Sequence, residues 1–256
     1  MKSWARLRMV LGRVGQALPA LFGVIVVTFI LTPALPGAPA VYFAGPAADE
    51  ASIQQIREAL GLDRPLYEQF VYYLGDLASG NLGVSISTGQ PVLEELARRL
   101  PASLELTLGA LLLSLAIAIP MGVLAATNPG RPIDHICRVI ATAGVSLPTF
   151  FTGIALVFVF YYLLGWSPAP IGRLDFAYLS PPPITGFYTI DALLDGDPET
   201  AMAAAGQLLL PMITLALFTL APIARMTRGA MLQALGSDFI RTAKAAGLSQ
   251  RVRSTN

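Results

Sequence analysis

Few side chains in this 256-residue chain can do chemistry, and their spacing fits none of the familiar reaction centres. His135 is the single histidine, which excludes a His-x-x-x-His zinc site or a multi-histidine haem or copper centre within the sequence. Cys137 is the single cysteine, so no disulfide forms within the chain. The lysines are Lys2, after Met1, and Lys244, after Ala243, so no Gly-Lys-Ser/Thr phosphate loop exists. "GVSIS" from Gly83 and "GVSLP" from Gly144 both lack the second glycine of a nucleophile elbow. His135 therefore reads as a loop or interface residue, not a base. The net charge of +1 gives no field pointing to nucleic acid. These residues describe a chain without a reaction or energy source of its own, expected to need neither cofactor nor metal.

The elements that would position them are membrane-like. The chain is 54% hydrophobic and 13% charged, against roughly 25% charged in a soluble domain. Four runs almost free of charge, at about 14–32, 102–127, 139–164 and 203–224, each reach the roughly 20 residues that cross about 30 Å of hydrocarbon. The expected class is an all-α polytopic membrane protein with four spans. Lys2, Arg6, Arg8 and Arg13 before the first run, with Ala38 and Ala40 after it, resemble a signal peptide. A retained span makes the later charges consistent: Arg131, Arg138, Arg225, Arg228, Arg241, Lys244, Arg251 and Arg253 then share a side with that basic N-terminus. The positive-inside rule places both ends in the cytoplasm. With Glu105 only near the start of the second run, no ionisable residue lies deep in a span, which argues against an ion-coupled carrier.

Between the first two runs, Ile53, Ile56 and Leu60 recur at helical spacing. Gly61 supplies a stop and Pro65 suits the first turn of a second helix. "NLGVSISTGQP" alternates as a short strand or hairpin would, and "PVLEELARRLP" predicts a last short helix before the span. This segment is either a packed cap or a docking surface. The Pro-rich segment from Gly165 to Thr200 reads as an ordered loop whose acids form a solvated face. Within the runs, Pro120, Pro148, Pro211 and Pro222 each remove a helical hydrogen bond. In "ATAGVSLPTFFTG", Gly144, Ser146, Pro148 and Gly153 either let another helix approach or leave carbonyls free to line a path.

The stretch "SDFIRTAKAAGLSQRVRSTN" closes the sequence with a basic helical pattern. Ile240, Ala243 and Gly247 share one face, Arg241 and Lys244 the neighbouring one, and Asp238 sits where a helix dipole favours an acid. On pattern alone this is a contact for anionic lipid. Its letters add more. "RTAKAAG", Arg241–Gly247, resembles the coupling motif of ABC importer permeases in the variant of the dipeptide/oligopeptide/nickel branch. Gly61–Ala126, "LRMVLGRVGQALPALFGVIVVTFIL" and "RVIATAGVSLPTFFTGI" are similar to the same branch, and the resemblance covers residues 7–249.

The resemblance implies an ABC importer type I transmembrane fold. Residues 1–95 would hold the first span and an extracytoplasmic segment, and 96–256 a transmembrane domain with a coupling helix at about 237–249. It also implies a second permease subunit, cytoplasmic ATP-binding subunits and an extracytoplasmic solute-binding protein as partners. Arg241, Thr242, Ala243, Lys244 and Gly247 would then form the ATPase-coupling motif: Ala243 packs in the groove of the ATPase, Gly247 allows the turn behind, and Arg241 and Lys244 reach its polar groups. Dipeptides, longer peptides, nickel chelates and glutathione all belong to this branch. The second half of the motif, Ile-x-Leu-Pro, would begin just past Asn256, with two further spans behind it, so a truncated permease is expected. The alternative is a membrane-anchored assembly or scaffold protein, or a truncated permease without transport.

Overall fold

The structure is a computed structural model that describes residues 2–34, 39–45, 48–59, 61–85 and 87–245. Among these, the regular elements are helices, and the chain divides into two compact units, Met1–Ala97 and Arg98–Asn256.

In the first unit, α1 (Lys2–Ala34) is followed by α2 (Pro39–Ala44), α3 (Glu50–Ala59) and α4 (Leu66–Ala78). Helix α3 stops before Gly61, which turns the chain at φ +65°. The Leu62 amide donates to the Arg57 carbonyl at 2.9 Å, and Pro65 stands at the N-cap of α4. An aromatic seam joins α1 to α4: Phe29 packs edge-on against Phe70 with centroids 5.1 Å apart and against Tyr73 at 5.7 Å. Val84 and Pro91 form a single bridge, the Ser85 amide donates to the Gln90 carbonyl at 2.9 Å, and Gly89 turns the chain at φ +68°. These contacts make a hairpin turn without a strand.

The next helix departs from the sequence expectation. Instead of a short helix and a separate span, α5 runs unbroken from Val92 to Thr127 through Pro101. A proline removes one helical hydrogen bond, and the apolar turns beyond carry the helix past that loss.

The second unit continues with α6 (Pro132–Ser146), α7 (Thr149–Leu156), a π-helical turn (Val157–Leu163), α8 (Tyr188–Leu194), α9 (Pro198–Leu235) and α10 (Asp238–Ala245). The run expected as the third span, 139–164, is broken at Pro148, where the sequence predicts a lost helical hydrogen bond. Leu147 and Pro148 are extended and split it into α6 and α7, sharply bent to one another. Pro148 cannot donate to a helix and pushes Leu147 out of helical angles. Among the described residues, α5 and α9 are long and apolar enough to cross a membrane, and the broken pair makes a third such segment if counted as one. The apolar part of α1, Gly15–Leu31, is shorter.

Helix α9 is the axis of this unit and packs against α6, α7 and α8. Its core is mostly small side chains, Ala118 and Ala125 of α5, Cys137 and Ala141 of α6, and Ala221 and Ala224 of α9, with the larger Met121 and Leu220 among them. Apolar lipid does not drive helices together, so close backbone approach and dispersion must. Gly122 shows how close. A Cβ there would lie 2.8 Å from the Ala224 carbonyl oxygen and 2.7 Å from Thr227 Cβ.

Candidate functional site

The second unit carries polar networks at both ends of its helices and a cavity between them. At the end where α5 passes Pro101, the loop between the π-helical turn and α9 is latched down. Glu105 is buried and accepts from Arg173 Nη2 at 2.7 Å, the Thr189 amide at 2.9 Å, the Thr189 hydroxyl at 2.5 Å and the Tyr188 amide at 3.3 Å. Arg173 also donates to the Gly186 carbonyl at 2.8 Å and lies 3.7 Å over the Tyr188 ring. A carboxylate with so many donors holds two loop segments to α5 at once.

Asp191 completes this end from within α8. It is fully buried and accepts from the Thr185 hydroxyl at 2.6 Å and from the amides of Thr185 at 2.7 Å, Gly186 at 2.8 Å and Ile184 at 3.3 Å. Burial acts to raise its pKa, and these four donors more than offset it, leaving the carboxyl below the usual carboxylate range. The acids of this loop are therefore not all a solvated face, as expected from sequence. Asp197 is likewise committed, capping α9 through the Thr200 amide at 3.0 Å.

At the opposite end, one strut ties α6 to α9. Arg228 donates from Nε to Asp134 Oδ1 and from Nη2 to Oδ2, both at 3.0 Å, and the Gly130 amide adds a bond to Oδ2 at 3.1 Å. Asp134 is buried and faces Arg138 at 3.7 Å as well. His135 is exposed and lies 2.7 Å from Arg138 Nη2 through Nδ1, a surface position that fits the sequence reading.

Helix α10 leaves this same end, one turn after α9 stops at Leu235. Arg241, Thr242, Ala243 and Lys244 all lie on it, and the Thr242 hydroxyl donates to the Asp238 carbonyl at 2.9 Å. Ile240 is buried, so α10 has an anchored apolar position. Gly247 and the rest of the expected 237–249 helix beyond Ala245 lie outside the described residues.

The kink residues separate into different roles. Gly144 is a packing contact: a Cβ there would come within 2.5 Å of the Leu217 carbonyl oxygen. Ser146 donates to the Thr142 carbonyl at 2.8 Å, and Pro148 is the N-cap of α7. Pro211 lines a cavity of about 580 Å³ between α7, the π-helical turn and α9. Phe150, Val157 and Leu215 are among its apolar walls, and no Asp, Glu, Lys, Arg or His lines it. The structure thus brings Pro211 to a cavity and leaves Gly144, Ser146 and Pro148 off it.

Gln207 lines the same cavity, and sequence reading passed over it. It is 8% exposed and its Nε2 has no partner. Buried amides are ordinarily paired. Pro211 also lacks the N–H that would meet the Gln207 carbonyl four residues back. A mid-helix glutamine four residues before a proline was the available signal. The arrangement can bond a neutral polar ligand through Gln207 and the hydroxyl-bearing Thr149, Tyr161, Ser167 and Thr214.

The comparisons with known proteins agree along the whole chain. Residues 118–254 match the family described as binding-protein-dependent transport system inner membrane component, and residues 6–107 match the N-terminal region of such membrane components. A probable D,D-dipeptide transport system permease protein of Escherichia coli K12 is 49% identical over 227 residues, 88% of this chain and 66% of that protein. A di/tripeptide transport system permease protein of Pseudomonas aeruginosa is 42% identical over 93% of this chain and 70% of its own length. A dipeptide transport system permease protein of Escherichia coli K12 is 37% identical over 95% and 73%. The chain spans about two thirds of the length of the first of these relatives and somewhat more of the others. The chain belongs to the family of binding-protein-dependent transport system inner membrane components, in its dipeptide and oligopeptide permease branch.

Proposed function

We propose that the chain is the permease subunit of an ATP-driven importer of di- or oligopeptides. It contributes part of the translocation path beside a second permease subunit. Separate cytoplasmic ATPase subunits power it, and an extracytoplasmic solute-binding protein delivers its cargo. The subunit is not an enzyme; hydrolysis belongs to the partners. In this reading α1, α5, the broken α6–α7 pair and α9 are the four spans and both chain ends face the cytoplasm, as the distribution of basic residues favours. The latched Glu105 end then faces outward, near the binding protein, and the Asp134 end faces the ATPase.

The observation that carries the reading is α10: a separate short helix bearing Arg241–Lys244, set directly behind the long apolar α9. A partner that grips α10 has a direct mechanical line into the bundle. Import needs two states that ATP and loaded binding protein favour differently. The test is association with the ATPase subunits in vesicles of neutral lipid. Charge reversal of Arg241 and Lys244 together should weaken it about tenfold or more, equal to about 1.4 kcal/mol or more. Unchanged association with reduced affinity for anionic vesicles would leave α10 as a lipid contact only.

A further inference from the structure

A second cavity, of about 300 Å³, opens at the Asp134 end of the bundle between α5, α6 and α9. Three guanidinium groups line it, those of Arg138, Arg225 and Arg228. Asp134, packed against that cluster, is committed to Arg228 through two bonds of 3.0 Å. Arg138 keeps only a 3.7 Å contact with the same carboxylate and its bond to His135, and it is half exposed. The bond recorded for Arg225 is from Nε to the Ala221 carbonyl at 3.4 Å, with no acidic partner among the described residues. One negative charge therefore serves three positive ones. Arg138 and Arg225 are exposed, so solvent screens this excess, yet it leaves the cavity a positive field that attracts an anion.

The rest of the site states which anion fits. Gly122, Ala125 and Ala141 are among the lining, and the volume of about 300 Å³ admits a compact group. Beside the cavity, α6 presents Ile136, Val139 and Ile140, all exposed, to the surroundings of the bundle. A ligand that places a charged phosphate among arginines and two apolar chains along α6 satisfies both features. Arginine forks match phosphate oxygens, and basic pockets between membrane helices suit acidic head groups.

We propose that this cavity is a binding site for the phosphate head group of an anionic phospholipid, held by Arg138 and Arg225 while Arg228 maintains the strut. The site is distinct from α10 and does not depend on the peptide-importer reading. The lipid reduces the surplus positive charge where α5, α6 and α9 meet.

The test uses the chain purified in nanodiscs or mild detergent, with phosphatidylglycerol as probe, phosphatidylcholine as reference and retained lipid counted by native mass spectrometry. Phosphatidylglycerol should be retained over phosphatidylcholine, and Arg138→Gln with Arg225→Gln should lower that preference about tenfold. Arg131→Gln, which removes one charge at a residue that does not line the cavity, should leave it unchanged, while Arg138→Gln or Arg225→Gln alone should lower it. The double lysine variant should restore part of it, which a collapsed fold would not. Inorganic phosphate at equal concentration should fail to displace the lipid. Equal losses from Arg131→Gln and either single variant would mean diffuse surface attraction and overturn the site. Displacement by inorganic phosphate would overturn the lipid as its ligand.

Discussion

The two ends of the second unit solve the same problem, a charged group held among packed helices, in opposite ways. At the Glu105 end, a glutamate and an aspartate outnumber one arginine, and amides and hydroxyls enclose both carboxylates, with the loop wrapped over them. At the Asp134 end a single aspartate serves three arginines, and one bidentate bond carries the tie between α6 and α9. Many mutually dependent bonds make a rigid closure, because losing one strands its neighbours. A single strut surrounded by surplus charge leaves its helices free to respond to a partner. The contrast assigns rigidity to one end and responsiveness to the other.

The largest effect should come from breaking the rigid end. Glu105→Ala strands Arg173 and the Thr189 and Tyr188 amides together. With Arg173 about a quarter exposed, the loss should be on the order of 3 kcal/mol in unfolding free energy, read by denaturation in detergent. If Arg228→Gln destabilises the protein more than this, the assignment of rigidity is reversed. The expected result for Arg228→Gln is intact insertion with reduced stimulation of the partner ATPase by cargo.

Next is the packing that lies between the ends. Gly144→Val puts methyl groups into the Leu217 backbone oxygen, which cannot move aside as a flexible side chain would. The cost should be about 1–3 kcal/mol, read as a lowered Tm. Normal stability would mean that α6 and α9 are not in close contact at this level. Gln207→Leu should be nearly neutral for stability, since it removes an unpartnered buried amide, yet lower peptide uptake by the assembled system about two- to tenfold. Unchanged uptake would remove Gln207 from the path.

The smallest effect is a pH profile. The Asp191 carboxyl lies below its unfolded value of about 3.9. Its contribution is therefore complete above that value and is lost as pH falls through the folded-state value. Amide exchange at Thr185 and Gly186 should be flat from pH 7 to 5, after correction for intrinsic rates, and faster below about pH 4. The Asp191→Asn variant should lack that step. A step near pH 6 would implicate a different group.

The sequence disclosed what depends on runs of letters. Apolar stretches placed α5 and α9, and Pro148 marked a break, because hydropathy and proline act locally. It could not disclose pairs brought together by the fold. Asp134 and Arg228 stand 94 residues apart, Glu105 and Thr189 84, and nothing near either member names the other. Asp191 was misread for the same reason: its acidity is visible, but the turn of amides around it exists only once α8 is formed. The π-helical turn at Val157–Leu163 has no letter signal in its aromatic and aliphatic run.

One further consequence lies in the spacing of prolines along α9. At 38 residues the helix is about 57 Å long, nearly twice the hydrocarbon thickness. Pro211 and Pro222 stand 11 residues apart, which at about 100° per residue is three full turns and only about 20° more. Both bends therefore open on almost the same side, and they add in one plane. In α5, Pro101 and Pro120 are 19 residues apart and fall about 100° out of phase, so their bends do not add. Helix α9 can flex as a bow, its two limbs drawing together on one side, while α5 beside it resists any single direction of bending.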